Sequence, residues 1–199
     1  MILVGDEDLM LQVRNGEAEM LGVLFDRYQK PLFNFYVKMT QDRAVSEDLV
    51  QDVFLRILRY RQTYRPGTPF RTWMYQIARN ARLDQARRVN PETPFASEPA
   101  APISVSDPAQ QKQEALLLQR ALMQLPEDKR EILILSRFQE LKYEEIAGLM
   151  GCQVGTVKVR VHRALQQLRE IFHQLERGVP AKQCDRAAGG TFPSPRTWQ

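Results

Sequence analysis

The chain has 199 residues, 43% of them hydrophobic and 26% charged, with a formal net charge of +4. That is apolar material enough for one large or two small folded domains, and the mild basic excess is compatible with a nucleic-acid partner without proving one. The two cysteines, Cys152 and Cys184, lie far apart with no CxxC pair and no histidine cluster nearby, which argues against a disulfide scaffold and against a zinc site. The apolar start, Met1 to Val4, runs at once into Asp6, Glu7 and Asp8, so no signal peptide is expected. No stretch approaches the ~18–20 apolar residues of a membrane span. The expectation is a soluble, cytoplasmic protein.

Every periodic segment has helical spacing, so the expected fold class is all-α. A first helix over 6–15 stops at Asn15-Gly16. From Glu17 onward, Leu21, Phe25, Tyr28, Leu32 and Tyr36 recur as one apolar stripe. Pro31 within that stripe should kink or divide the helix. The next helix is expected from Ser46-Glu47-Asp48, acids placed where the helix dipole favours them, with Val45, Leu49, Val53 and Ile57 inward. The loop Arg65-Pro66-Gly67-Thr68-Pro69 precedes a fourth helix over 70–89. Beyond it, Pro91, Pro94, Pro99 and Pro102 forbid a regular helix, and Glu92, Glu98 and Asp107 make the stretch acidic, so it reads as a linker. Helices resume near Gln110, with Ala115, Leu118, Leu122 and Leu125 on one face. Pro126 suits a first helical position, with Glu127 and Asp128 behind it. Ile132, Leu133, Leu135 and Phe138 carry the next buried face, and further helices follow over 143–150 and 156–175. The tail, with Gly189-Gly190, Pro193 and Pro195, is expected to be largely disordered. The organisation is a module over 1–89, a linker over 90–109, a second module over 110–177 and a tail over 178–199.

The stretch GTVKVRVHRALQQLREIF, 155–172, alternates like a strand through Val157, Val159 and Val161, but alternation stops after His162. On a wheel of ~100° per residue, Val157, Val161, Ala164, Leu165, Leu168, Ile171 and Phe172 cluster instead. Thr156, Val159, Arg160 and Arg163 lie largely opposite, flanked by Lys158 and Arg169. The short helix before it carries Tyr143, Ile146, Ala147 and Met150 on one side, and Gly151 can adopt positive φ in the turn. A short helix, a glycine turn and a longer basic helix make a helix-turn-helix, whose second helix enters a major groove about 12 Å wide. Gly155 and Thr156 at its start can meet a phosphate. An ordinary αα-hairpin with a solvated basic face is the bland reading, and the basic bias of the outer face favours DNA.

The fourth helix, FRTWMYQIARNARLDQARR, interleaves Arg71, Arg79, Arg82, Arg87 and Arg88 with Phe70, Trp73 and Tyr75. Splayed bases stack on aromatics while arginines hold the backbone. Trp73, Ile77 and Ala81 are four apart, so Trp73 is expected to face the core. Asn80, flanked by Arg79 and Arg82, can pair both ways with a base edge. On the third helix Asp48 with Asp52, and Glu47 with Gln51, make a polar ridge beside Arg56. That ridge reads either as solvated surface or as a dock for a basic partner helix.

Together these stretches resemble the extracytoplasmic-function (ECF) sigma factors, the two-module branch of the bacterial sigma factors. EDLVQDVFLRIL resembles their region 2.2 helix, and FRTWMYQIARNARLDQARR resembles regions 2.3 and 2.4. LPEDKREILIL followed by YEEIAGLMGCQVGTVKVRVHRALQQLR resembles region 4, and the order is the family's across residues 6–175. The resemblance implies two small helical domains, regions 2 and 4, joined by a flexible linker. It implies no enzyme, no cofactor and no metal, but a protein that lends promoter recognition to core RNA polymerase. The partners it implies are the clamp of the largest polymerase subunit, the flap of the second-largest, promoter DNA and an anti-sigma factor. It assigns Asp48, Gln51, Asp52, Phe54 and Arg56 to the polymerase interface. It assigns Thr156, Lys158, Val159, Arg160, His162 and Arg163 to the −35 duplex. Phe70, Arg71, Trp73, Tyr75, Arg79, Asn80, Arg87 and Arg88 go to the −10 element and its melting, with Asn80 near the captured base. The acidic linker would thread toward the polymerase cleft, where it could mimic nucleic acid.

Three positions depart from the family pattern. Lys142 stands where a Ser or Thr cap is usual, so the helix start at Tyr143 is expected to fray. Val159 replaces a small polar residue, which predicts an altered −35 preference. Ser136-Arg137 stands where the family more usually has Arg at the earlier of the two positions, which puts a phosphate contact there in question. The alternative is a stand-alone helix-turn-helix regulator, but such proteins normally dimerise, and the chain shows no heptad seam. No HExxH, GxxxxGK[ST], GxGxxG or nucleophile elbow occurs, and His162 and His173 have no catalytic partners in the sequence.

Overall fold

A computed structural model describes residues 4–88 and 109–177, with backbone alone at 109–112. Most of the expected linker, the tail from 178 and Cys184 lie outside the described residues. Every described element is helical. The first module comprises α1 (Asp6–Asn15), α2 (Met20–Thr40), α3 (Arg43–Tyr60) with a 3₁₀ turn after it, and α4 (Phe70–Arg88). The second comprises α5 (Ala109–Gln124), α6 (Glu127–Leu133), a π-helical turn (Ile134–Phe138), α7 (Tyr143–Met150) and α8 (Val154–Glu176).

The ends of these helices are set by local chemistry. Asp6, Glu7 and Asp8 occupy the first turn of α1, where the dipole favours anions, and Gly16 closes it at φ 114°. α3 starts three residues before the expected Ser46, because Asp42 is the cap: its carboxylate accepts from the Val45 N–H at 2.9 Å. Ser46 is buried instead, its hydroxyl donating to the Asp42 carbonyl at 2.5 Å. Pro31 does not divide α2, which runs unbroken past it. Leu24 and Tyr28 before it, and Leu32, Phe35 and Tyr36 after it, are all buried. That packing outweighs the one backbone bond a proline forgoes.

The first module's core joins α2, α3 and α4 through Leu24, Leu32, Phe35, Val53, Ile57, Phe70 and Met74. Burying each large apolar side chain contributes roughly 1.5–3 kcal/mol. Edge-to-face ring pairs tie the elements together: Tyr28 with Phe70 at 5.3 Å, Phe35 with Tyr75 at 5.6 Å, and Tyr64 with Trp73 at 5.2 Å. The Tyr64 hydroxyl closes the loop before α4 by donating to the Thr68 carbonyl at 2.5 Å. Burial, with Glu7, Asp6 and Asp8 nearby, pushes its pKa up to about 12.

The second module's core is Leu122, Leu125, Ile132, Leu133, Ile134, Ile146, Val157, Val161 and Ala164. Phe138 does not share that face, contrary to expectation, and is 41% exposed. The cause is the π turn: the Gln139 N–H donates to the carbonyl five residues back, Ile134, at 2.9 Å. The wider turn rotates the chain beyond Ile134, so Gln139 goes inward, 6% exposed, while Phe138 points out beneath Lys38.

Candidate nucleic-acid interface

α7, its turn and α8 form the helix-turn-helix expected from the sequence. Gly151 ends α7 in the left-handed region at φ 61°, and the Cys152 N–H returns to the Ala147 carbonyl at 3.0 Å. The start of α7 does not lack a cap: the Glu145 carboxylate reaches back to accept from the Lys142 backbone N–H at 2.7 Å. Val157, Val161 and Ala164 anchor α8 inward. Thr156, Lys158, Val159, His162 and Arg163 are exposed on the other side, and Arg160 is half-buried. Among the described residues, Lys158, Arg160 and Arg163 meet no acid, so their charge is available to a ligand. Ser136 turns inward to the Leu133 carbonyl, leaving Arg137 as the exposed cation there.

α4 is used differently. Asn80, Arg87 and Arg88 are exposed, with Arg87 loosely paired to Asp84 at 3.8 Å. Phe70 is fully buried and Tyr75 is 1% exposed, so neither is placed to meet a base in this arrangement. Both are corrections to the sequence expectation: α4 needs its aromatics to fill the core. Trp73 is half-buried against Tyr64, as its spacing suggested.

The remaining basic residues of α4 face the second module. Arg79 Nε lies 3.1 Å from both carboxylate oxygens of Glu131, itself only 4% exposed, and its Nη1 donates to the Leu149 carbonyl at 3.3 Å. Arg82 pairs with Glu127, and Thr72 donates to Glu145 at 3.2 Å. Gln139 sits at the centre. Its Oε1 accepts from the Tyr75 hydroxyl at 2.5 Å, its backbone carbonyl accepts from Arg71, and its Nε2 donates to the Pro31 carbonyl at 3.2 Å. Burial raises the Tyr75 pKa, with Arg71 opposing, so the hydroxyl keeps its proton. Arg130 completes the seam. It caps α5 through the Leu122, Met123 and Leu125 carbonyls and crosses to the Met39 carbonyl at 2.8 Å. Burial lowers its pKa.

On α3, Asp48 and Gln51 are exposed and Asp52 half-buried, as the polar ridge requires. Phe54 does not belong to that ridge: it is 6% exposed and packs edge-on against Phe25 at 4.8 Å. Its neighbour Leu55, overlooked in the sequence, shares the ridge with Asp48, Gln51 and Asp52 and is 68% exposed. A helical wheel through those three residues would have found it. Arg56 is a tie rather than a free docking group, bonded to Asp52 at 2.9 Å and Asp84 at 2.7 Å. Burial depresses its pKa, but the two hydrogen-bonded carboxylates more than offset that and hold it above the ordinary value.

Among the described residues, no group of three or more His, Cys, Asp or Glu could hold a metal ion, and no helix is long and apolar enough to cross a membrane. The whole is a two-module helical protein with an exposed basic recognition helix in one module and a basic, partly engaged helix in the other. Comparison with known proteins gives the class its name. Residues 24–91 match the model for Sigma-70 region 2, and residues 115–168 match Sigma-70 region 4. RNA polymerase sigma factor CarQ of Myxococcus xanthus is 35% identical over 173 residues, 84% of this chain and 97% of that protein. The ECF RNA polymerase sigma-E factor of Escherichia coli K12 is 31% identical over 181 residues, 82% of this chain and 92% of that protein. Among solved structures, the sigma factor RpoE of Bartonella quintana, crystallised with the anti-sigma factor NepR, matches with a TM-score of 0.65 at 25% identity. That match covers 76% of this chain and 96% of that one. The chain belongs to the ECF RNA polymerase sigma factors, non-enzymatic subunits that bind core polymerase and direct promoter-specific initiation.

Proposed function

We propose that α8 reads the −35 duplex, that α4 handles the −10 element, and that the α3 ridge docks on the polymerase clamp. The observation that carries this is the outer face of α8. Thr156, Lys158, Val159, His162 and Arg163 stand clear of the fold on the first turns after a helix-turn-helix turn, with no carboxylate among them. Such a face supplies phosphate contacts and base-edge donors together. On α4 the −10 set reduces, in the arrangement described, to Asn80, Arg87 and Arg88, with Arg71 and Arg79 available once they are released. On α3 the docking set is Asp48, Gln51, Asp52 and Leu55, with Leu55 an exposed apolar side chain ringed by polar groups.

The modules act as region 2 over 1–89 and region 4 over 110–177, with 90–109 linking them and 178–199 as a tail. The protein works in the cytoplasm, where polymerase is. By analogy with the relative bound to NepR, an anti-sigma factor is its regulator. Run-off transcription with core polymerase and a randomised promoter pool tests the assignment. The parent chain should enrich a defined −35 and −10 pair, and Arg163→Ala should lose the −35 consensus while keeping the −10. Loss of both, or of neither, would overturn the division of labour.

A further inference from the structure

A cavity of about 650 Å³ opens where α2, α4 and the end of the π turn meet, and we propose that it binds a small ligand carrying at least two phosphates. Its volume is that of an ordinary small-ligand site. Arg27, Lys30, Lys38 and Arg71 line it, against a single acid, Glu140. Arg27, Lys30, Asn34 and Lys38 follow one another at three- or four-residue spacing along α2, so they share one face of the helix. From Arg27 to Lys38 that face rises roughly 16 Å, a stripe better matched by a chain of phosphates than by one.

The charge in this cavity is largely uncompensated. Arg27 is bonded to Asp6 at 2.5 Å, but Arg71 meets only the neutral Gln139 carbonyl. Among the described residues, Lys30, Lys38 and Arg71 form no ion pair, and Glu140 pairs with none of them. Lys38 is the decisive group. It is half-buried with no acid beside it, its ammonium lying over the Phe138 ring at 4.8 Å from the centroid. Burial lowers its pKa, whereas a lysine on an ordinary solvated basic face would keep its water. Phe138, turned outward by the π turn, thereby sets one cation at the end of the cavity. Like charges gathered in a partly enclosed site repel one another, and a phosphate chain would remove that cost while accepting charge-assisted hydrogen bonds from them. Both modules line the site, Phe138 and Glu140 coming from the second, so a bound ligand stabilises the arrangement in which they touch.

The test is calorimetric titration of the full chain with inorganic pyrophosphate, ATP and adenosine at physiological salt. Pyrophosphate and ATP should bind, and adenosine should not. Tighter binding of ATP would mark the ligand as a nucleotide, and equal binding would mark it as a phosphate chain alone. Lys30→Ala combined with Lys38→Ala should weaken both phosphorylated probes at least about tenfold. Lys30→Ala alone, at an exposed position, should weaken them at least about threefold, which keeps the test decisive if the double variant loses stability. Phe138→Ala keeps every charge but removes the ring under Lys38, and should cost about two- to fivefold. Arg169→Ala, at an exposed arginine of α8 outside the cavity, should change the affinity by less than about twofold, because salt screens such a charge. Absence of binding by either phosphorylated probe, or an equal loss with Arg169→Ala, would overturn the site. If only a single-stranded oligonucleotide depends on Lys30 and Lys38, the stripe follows a DNA backbone and the proposal falls.

Discussion

α4 and α8 are both long, basic and amphipathic, yet the fold spends them differently. On α4, Arg71, Arg79 and Arg82 bond to carbonyls and carboxylates of the second module, and the aromatics Phe70 and Tyr75 are buried. On α8, the first three turns send Thr156, Lys158, Val159, His162 and Arg163 outward with no acid in reach. Counting basic residues would rank α4 as the stronger DNA binder. Their partners reverse the ranking: the outer face of α8 is open to a ligand, whereas Arg71, Arg79 and Arg82 of α4 are already engaged within the chain. Positive charge predicts nucleic-acid binding only after the chain's own carboxylates have been subtracted.

That contrast is broken most severely at Phe70. If it is core, Phe70→Ala costs ~3–5 kcal/mol of stability and lowers the urea midpoint of the first module. A normal midpoint with lost −10 use would return it to the DNA-contacting set. The matching change on the open helix is Arg163→Ala. It should leave the unfolding free energy within about 0.5 kcal/mol of the parent, because the residue is exposed and unpaired. It should weaken holoenzyme binding to the −35 duplex by ~1–3 kcal/mol, read by competition against a promoter lacking that element. Asn80→Ala sits between the two. It is on α4 but exposed, so its effect should be a loss of ~1 kcal/mol in open-complex formation, restored on a pre-melted template. Absence of rescue would remove Asn80 from strand capture.

How far the sequence foretold these roles depended on whether the signal was periodic. The apolar stripes located each helix, and the glycine at 151 marked the recognition turn, because burial and positive φ leave local signatures. Asp42 was missed as the cap of α3, since Ser46-Glu47-Asp48 looks like a better helix start and only the fold shows Ser46 buried. The family resemblance assigns Phe54 to the polymerase interface, whereas the fold packs Phe54 on Phe25 and sends Leu55 to solvent. Glu131 and Gln139 were not legible as site residues. An acid and an amide at the ends of an apolar run read as solvated surface. Their roles come from a π turn and from a second module packed on α4, neither of which leaves a local mark.

The smallest expected effect is also the most specific to this chain. Val159 projects almost directly away from Val157, Val161 and Ala164 and is 49% exposed, an apolar side chain amid Thr156, His162 and Arg163. An isopropyl group has no donor or acceptor, so of the features on a major-groove edge it can gain only from the thymine 5-methyl. Removing one buried methyl contact costs ~0.8 kcal/mol, about fourfold in affinity. Replacing the thymines of the −35 element with uracil one at a time should therefore weaken holoenzyme binding about fourfold at one position. The same substitution should have no effect with Val159→Ser, whose hydroxyl does not distinguish the two bases by their methyl. If every thymine can be exchanged without loss in the parent protein, Val159 reads no base, and the polar groups around it carry the whole of −35 discrimination.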